Sequence, residues 1–462
     1  MKFKWFLLVG LFFCFTTTHA TNVKDYGAKG NGVQDDTDAI IRALKSVEDG
    51  YLEFPKGRYR ITRTIEILLS ESGPLGITGG LGSATVIMEG KGPAFRIRGS
   101  HQGSALPASV SSQVWDNERM FTMQQIEILG MHPEADGLEL SGLMQPVIRE
   151  CLIRKVRHGI LLTHRNRNVI LEGNHIYDCT GVGVFLDQVN IHQMIISHSH
   201  ISYCQEAGIK VLGGEIRNFQ ITGNDIEYNC LPEKSNSADL YIDLSEGGSV
   251  REGTISGNTI QAIESSNGAN IRFTGDPKQP HKLGLWSITG NHISNQYIGI
   301  WLEHARGISI LGNTFVRAYY KHFVVKNSQN VTFGGNVIDH NPDYFPPNVK
   351  AIGGILIEGS ERLLLDDNII EGVAGGVEDA AIQLRSSRNV SVTNCHIRPL
   401  QANGIIVNDC QGLSIVGNTI EIIDKMVVAM SIKGDCSASL VRGNRHPNSK
   451  IVNRAKGVQI RK

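Results

Sequence analysis

Lys210, Tyr241 and Arg272 combine two cations with a phenol, while Asp187, Asp243 and Glu303 supply three carboxylates. Either set can break a glycosidic bond if the chain brings its members together. Cations flanking a phenol lower its pKa by stabilising the phenolate. The same cations can neutralise a substrate carboxylate and acidify the proton beside it. Tyr241 or a neighbouring base then removes that proton and the glycosidic oxygen leaves, which is β-elimination. Two carboxylates held roughly 6.5–9.5 Å apart instead suit inverting hydrolysis, one as acid and one as base. These residues are distant along the chain, so either chemistry needs a fold that stacks them.

The stacking signal is a recurring Asn-x-Ile phrase. It appears at Gly173-Asn174-His175-Ile176, Gly223-Asn224-Asp225-Ile226, Gly257-Asn258-Thr259-Ile260 and Gly290-Asn291-His292-Ile293. Further copies centre on Asn313, Asn336, Asn368, Asn418 and Asn444, with Ser199 and Cys395 in the Asn place of two others. The interval of about 22 to 34 residues lies in the range that marks solenoids and propellers. A second phrase precedes most copies, as in Gly159-Ile160, Gly183-Val184, Gly208-Ile209 and Gly299-Ile300. No helical period separates the two phrases. Each unit therefore reads as short strand, tight turn, short strand and loop, which predicts a parallel β-helix with rungs about 4.8 Å apart. Asn side chains stacked at one turn would hydrogen-bond along the axis.

Alternation along the strand that opens at Gly-Ile turns Ile160 and Leu162, Val184 and Leu186, Ile209 and Val211, and Ile300 and Leu302 inward. The remaining positions form two outward columns. One runs Glu139, Leu161, Phe185, Lys210, Tyr241, Arg272, Trp301, Val324, Leu356, Gln383, Ile406. The other runs Ser141, Thr163, Asp187, Leu212, Asp243, Thr274, Glu303, Lys326, Glu358, Arg385, Asn408. The catalytic candidates are Lys210, Tyr241, Asp243 and Arg272. Phe185, Asp187, Trp301, Glu303 and Lys326 are substrate-binding candidates, because exposed aromatic planes and charged groups bunched on one sheet suggest a binding surface. Arg165 and His192 join them from a basic group that also holds His158, His164 and Arg167 and suits a carboxylate or sulfate. The plainer readings are cross-strand ion pairs that serve solubility, and turn residues paired with Glu172 or Asp178. Insertions at 230–238, 261–269 and 275–284 flank the strands of Tyr241 and Arg272 and are expected to wall a cleft, with 339–353 as a far rim.

Residues 1–20 combine a basic start, a short apolar run and a small residue at Ala20, the pattern of a secretory signal peptide. The expected domains are this signal, 1–20, and a β-helix over 21–462, with the product secreted or periplasmic. No later stretch is long and apolar enough for a membrane span. A formal net charge of zero argues against a nucleic-acid partner. Cys151, Cys179, Cys204, Cys230, Cys395, Cys410 and Cys436 form no C-x-x-C pair, so a zinc ribbon is not expected, and stacked core thiols fit better than a disulfide framework. No cofactor is expected. Ca2+ between acidic rungs is an option for an exported protein, but no loop has ligand spacing and no metal site is assigned. Asp35, Asp36 and Thr37 can cap a helix whose apolar face is Ala39, Ile40, Ile41, Ala43 and Leu44. That helix is the natural plug for the open end of a solenoid.

The run Val23 to Ile40, followed by Leu52-Glu-Phe-Pro-Lys-Gly-Arg-Tyr, resembles the amino-terminal signature of the pectate-lyase-like superfamily of right-handed parallel β-helix proteins. That group holds polysaccharide lyases, polygalacturonase-type glycoside hydrolases, epimerases and phage tailspikes. The resemblance implies an all-β chain, a single-stranded right-handed parallel β-helix with an N-terminal capping helix, and a polysaccharide or oligosaccharide partner. A monomer is expected. It carries over no catalytic residue. The polygalacturonase set (Asn-x-Asp, Asp-Asp, Gly-His-Gly, Arg-x-Lys) is absent as a set, Asp366-Asp367 falls on the Asn strand, and the epimerase Asp-Pro-His-Asp is missing. The expected function is a secreted polysaccharide lyase acting on a uronic-acid glycan. An inverting glycoside hydrolase and a non-catalytic glycan-binding surface protein are the alternatives.

Overall fold

The computed structural model describes residues 20–461 except 104, 347 and 348. The expected signal peptide falls on residues 1–19, outside the described residues, and on Ala20. The strands stack in parallel into two long sheets that share one continuous core, from Val23 to Val441. Each central coil contributes three strands, not the two expected. A front strand opens at the Gly-Ile phrase (Val182–Asp187), a flank strand follows (Asn190–Ser197), and a short back strand follows the Asn phrase (His200–Ser202). Front and flank strands belong to one sheet and back strands to the other.

The corners explain the repeat. A single left-handed residue turns front into flank, as at Gln188 (φ 46°) and His304 (φ 51°). Another turns flank into back, at Gly173, Gly223, Gly257 and Gly290, with φ of 64–65°. L-residues pay a steric cost there that Gly avoids, so Gly precedes Asn. The Asn side chains then bind along the axis: Asn224 donates to Asn258 at 3.0 Å, Asn258 to Asn291 at 2.9 Å and Asn291 to Asn313 at 2.9 Å. The ladder continues through Asn336 to Asn368. Ser199 and Cys395 hold their expected places, and Cys151 extends the row, its N–H donating to Asn174 Oδ1.

The inward positions of the front strands are all buried. All seven described cysteines are free and buried, so no disulfide staples the stack. At the amino end, helix α1 (Thr37–Lys45) lays Ala39, Ile40 and Ala43 on the core and touches the outermost front strand, Ile65–Leu68. Its start is held differently from the expectation. Asp35 accepts from the Thr37 N–H and hydroxyl, whereas Asp36 turns back to accept from the Lys29 and Gly30 N–H groups.

Candidate functional site

The front strands hold the two outward columns in the expected register. Phe185 pairs with Lys210, Lys210 with Tyr241, Tyr241 with Arg272, and Arg272 with Trp301. The second column runs Asp187, Leu212, Asp243, Thr274, Glu303 and Lys326 through the same pairings. Ring and cation alternate along the wall. Lys210 Nζ lies 5.8 Å from the centres of both the Phe185 and Tyr241 rings. The Arg272 guanidinium lies 4.8 Å from the Trp301 ring, and Lys326 Nζ approaches that ring to 5.1 Å. Such contacts hold cations in place without an anion.

The cations differ in their partners. Lys326 reaches Glu358 at 3.9 Å, and surface arginines elsewhere pair across rungs, as Arg96 does with Glu66 and Glu139. Among the described residues no carboxylate lies within ion-pair distance of Lys210 or Arg272. Arg272 is 4% exposed, donates to the Asn267 carbonyl, and leaves its Nε without a hydrogen-bond partner. Burial holds its pKa below the usual guanidinium value.

Tyr241 corrects the sequence reading. Its phenol is not acidified by the flanking cations. Burial first, and the neighbouring Asp243 carboxylate next, push it up to about 12 against the pull of Arg272. The protonated phenol is a donor, not a ready base. Asp243 Oδ1 accepts from the Ser245 N–H at 3.0 Å and its hydroxyl at 2.7 Å. Asp187, Asp243 and Glu303 stand on alternate rungs, so no two of them are direct neighbours.

The wall is also less open than expected. Tyr241 and Trp301 are half-buried and pack on an apolar cluster of Ala238, Ala269, Ile298, Val324 and Leu356, where Tyr297 and Tyr320 stack 5.2 Å apart. Of the insertions, 230–238 and 261–269 do line this wall: Ser237 and Ser265 hydroxyls bond at 2.9 Å, and Asn267 links to Asn236 and Arg272. The 275–284 insertion instead leaves past the front strand and packs, through Pro280–Lys282, on flank strands. The 339–353 segment packs against Arg317 and His322. A cavity of about 680 Å³ lies away from all the candidates, between α1 and the first coils, lined by Ile41, Leu44 and Leu68.

The basic group does not form one crowd. The His158 ring lies tilted against Phe185, 5.1 Å between centres, and accepts from the Val182 N–H, so it belongs to the front wall. His164 is exposed at the front-to-flank corner. Arg165, Arg167 and His192 lie on flank strands, and Glu172 approaches His198 rather than any of them. Sequence reasoning missed a polar cluster behind the wall. Asp239 and Asn270 occupy two successive places that Gly183, Gly208 and Gly299 hold on other coils. Asp239 is fully buried and accepts from Asn229 at 3.1 Å and Asn270 at 3.2 Å, and burial raises its pKa to about 8. The departure from Gly-Ile at Asp239-Leu240 was the available signal.

A model of the right-handed beta helix region matches residues 113–275 and 281–446. A model of the rhamnogalacturonase A/epimerase, pectate lyase-like type matches residues 20–73. No curated protein matches the chain. Among solved structures, the A-module of the Azotobacter vinelandii mannuronan C-5 epimerase AlgE4 is 12% identical, covering 95% of this chain and 99% of that one at a TM-score of 0.43. The Yersinia enterocolitica family 28 exopolygalacturonase is 11% identical, covering 96% and 78% at a TM-score of 0.36. The catalytic unit of a GH87 α-1,3-glucanase from Streptomyces thermodiastaticus is 14% identical, covering 84% and 65% at a TM-score of 0.42. The repeat match extends over both halves of the stack, and the chain belongs to the right-handed β-helix family.

Proposed function

We propose that the protein is an exported polysaccharide lyase that cleaves a uronic-acid glycan on its front wall. One observation carries this reading: Lys210 and Arg272, both without a carboxylate partner among the described residues, bracket the Tyr241 phenol on three successive rungs. Two unneutralised cations beside stacked rings suit a sugar carboxylate lying across the wall. The match of residues 20–73 to a pectate-lyase-like model supports a glycan as the ligand.

The raised pKa of Tyr241 sets the roles. Lys210 and Arg272 neutralise the substrate carboxylate. Asp243 takes the proton from the carbon next to it. The released electron pair forms the ring double bond, the bond from carbon to glycosidic oxygen breaks, and Tyr241 gives its proton to that oxygen. Proton return from Asp243 to the phenolate restores both groups. Phe185 and Trp301 offer faces for sugar rings, and Asp187, Glu303 and Lys326 offer hydrogen bonds along the same columns.

A second reading draws on the alternate-rung spacing of Asp243 and Glu303. Their attachment points, two rungs or about 9–10 Å apart, suit an inverting hydrolase once the side chains lean together. Incubation with polyuronates separates the two. Rising absorbance at the ultraviolet edge, from the new double bond, is expected for the lyase. Reducing ends without that absorbance would overturn it in favour of hydrolysis. Binding with no product at all would leave a glycan-binding surface protein.

A further inference from the structure

On the flank face, Arg167, His192, Arg217 and Arg251 stand opposite one another on four successive rungs, with Arg165 one column away beside Asn190. Like charges directly opposite on neighbouring strands repel. Elsewhere on this protein the rungs avoid that by alternating sign, with Arg96 between Glu66 and Glu139 and Arg398 between Glu371 and Glu421. Arg165, Arg217 and Arg251 show no such alternation. Among the described residues no carboxylate comes within ion-pair distance of Arg165, Arg217 or Arg251. Glu215 and Glu252 are near enough to temper the field, but neither pairs. The column is also partly desolvated, which holds the pKa of Arg165, Arg167 and Arg217 below normal.

The second observation concerns hydrogen bonds left unmade. Arg165 Nε, Arg251 Nε and His192 Nδ1 are buried without a hydrogen-bond partner among the described residues. His101, beside Arg165 and Arg167, is 1% exposed, and neither of its ring nitrogens has a hydrogen-bond partner among the described residues. Buried polar groups usually find partners, and free donors gathered around fixed cations suit an anionic ligand.

We propose that this cation ladder is a second site, separate from the front wall, that binds the sulfate or carboxylate groups of an anionic glycan laid along the helix axis. The glycan identity of the ligand rests on the function proposed above. The rigid repeat offers a guanidinium on three of the four rungs, at multiples of about 4.8 Å, with the His192 imidazole on the other, which suits a chain with regularly spaced charges. No Phe, Tyr or Trp interleaves the column, so nucleic-acid bases would have nothing to stack on.

Affinity electrophoresis of the full chain through gels holding dextran sulfate, polygalacturonate or neutral dextran tests this. Retardation is expected in one or both anionic gels, naming the anion, and not in neutral dextran. It should weaken steeply with salt, as multiple ion contacts do. The Arg217→Ala/Arg251→Ala variant should lose about tenfold or more in affinity, while Arg217→Lys/Arg251→Lys retains most of it, at unchanged melting temperatures. Unchanged affinity in the alanine variant, equal loss in the lysine variant, or a salt-independent wild type would overturn the ladder. Tighter binding of single-stranded DNA would overturn the glycan assignment. Product formation without retardation sinks the ladder alone, and retardation without any product sinks the catalytic reading alone.

Discussion

Tyr241 shows how far neighbours and burial can disagree. Two cations adjoin it, yet its phenol holds its proton because burial and Asp243 outweigh the pull of Arg272. Sequence supplies the neighbours but not the dielectric, so the direction of this shift was out of reach. Removal of the donor in Tyr241→Phe should lower kcat by about 10²–10⁴-fold while glycan affinity holds. Initial rates and binding isotherms on the same polyuronate check this. The wild-type rate should show no loss from phenol ionisation below about pH 11. Asp239 makes a stability prediction. Its pKa is raised from 3.8 to about 8 in the folded chain. A carboxyl raised on folding stabilises fully below its unfolded pKa and loses that contribution as pH climbs through the folded value. Stability should therefore fall between pH 4 and 8, by at most about 1.4 kcal/mol per unit from this group. Asp239→Asn should flatten the slope, read from denaturant midpoints at pH 5 and pH 8.

Among the elements, the front strands were the most legible. Ile and Val two apart fix which side faces in, and a one-residue slip would expose the whole inward set, so the columns could be assigned from the chain alone. The flank strands were not legible. Left-handed residues sit inside them, at Asn168, Gln193, Asn218 and Glu252. Each breaks the alternation midway, which hid a third strand in every coil and left Arg217 and Arg251 out of the basic group. The Asn ladder was legible as a repeat, and its energetics follow from its bonds. Asn291 accepts from the N–H and side chain of Asn258 and donates to Asn313 and the carbonyl of Ile255. Asn291→Ala strands several buried groups and should cost about 2–4 kcal/mol. Asn291→Ser should cost less, because Ser199 fills the same place by accepting from the Asn174 N–H and donating to the Ser197 carbonyl. Denaturant unfolding of both variants decides.

At the scale of the whole molecule, cohesion comes from one long core and its backbone ladders, with no covalent staple among the described residues. Two of the thiols are also unreactive: burial pushes Cys151 up to about 12 and Cys410 to about 11. A reducing agent should therefore leave the melting temperature unchanged. A drop of several degrees under reductant would contradict this arrangement.

Asn190 and Glu215 occupy equivalent places on adjoining coils, in the region where the ladder recurs every 25 residues. A segment of that length is accordingly an interchangeable part. Excised whole, it lets Glu215 follow Val189 with each remaining side chain still facing its former way. A lone inserted residue would invert everything up to the next corner. Length of the working face can thus change in whole-row increments during descent, by duplication or loss, while the chemistry of every surviving row is inherited intact.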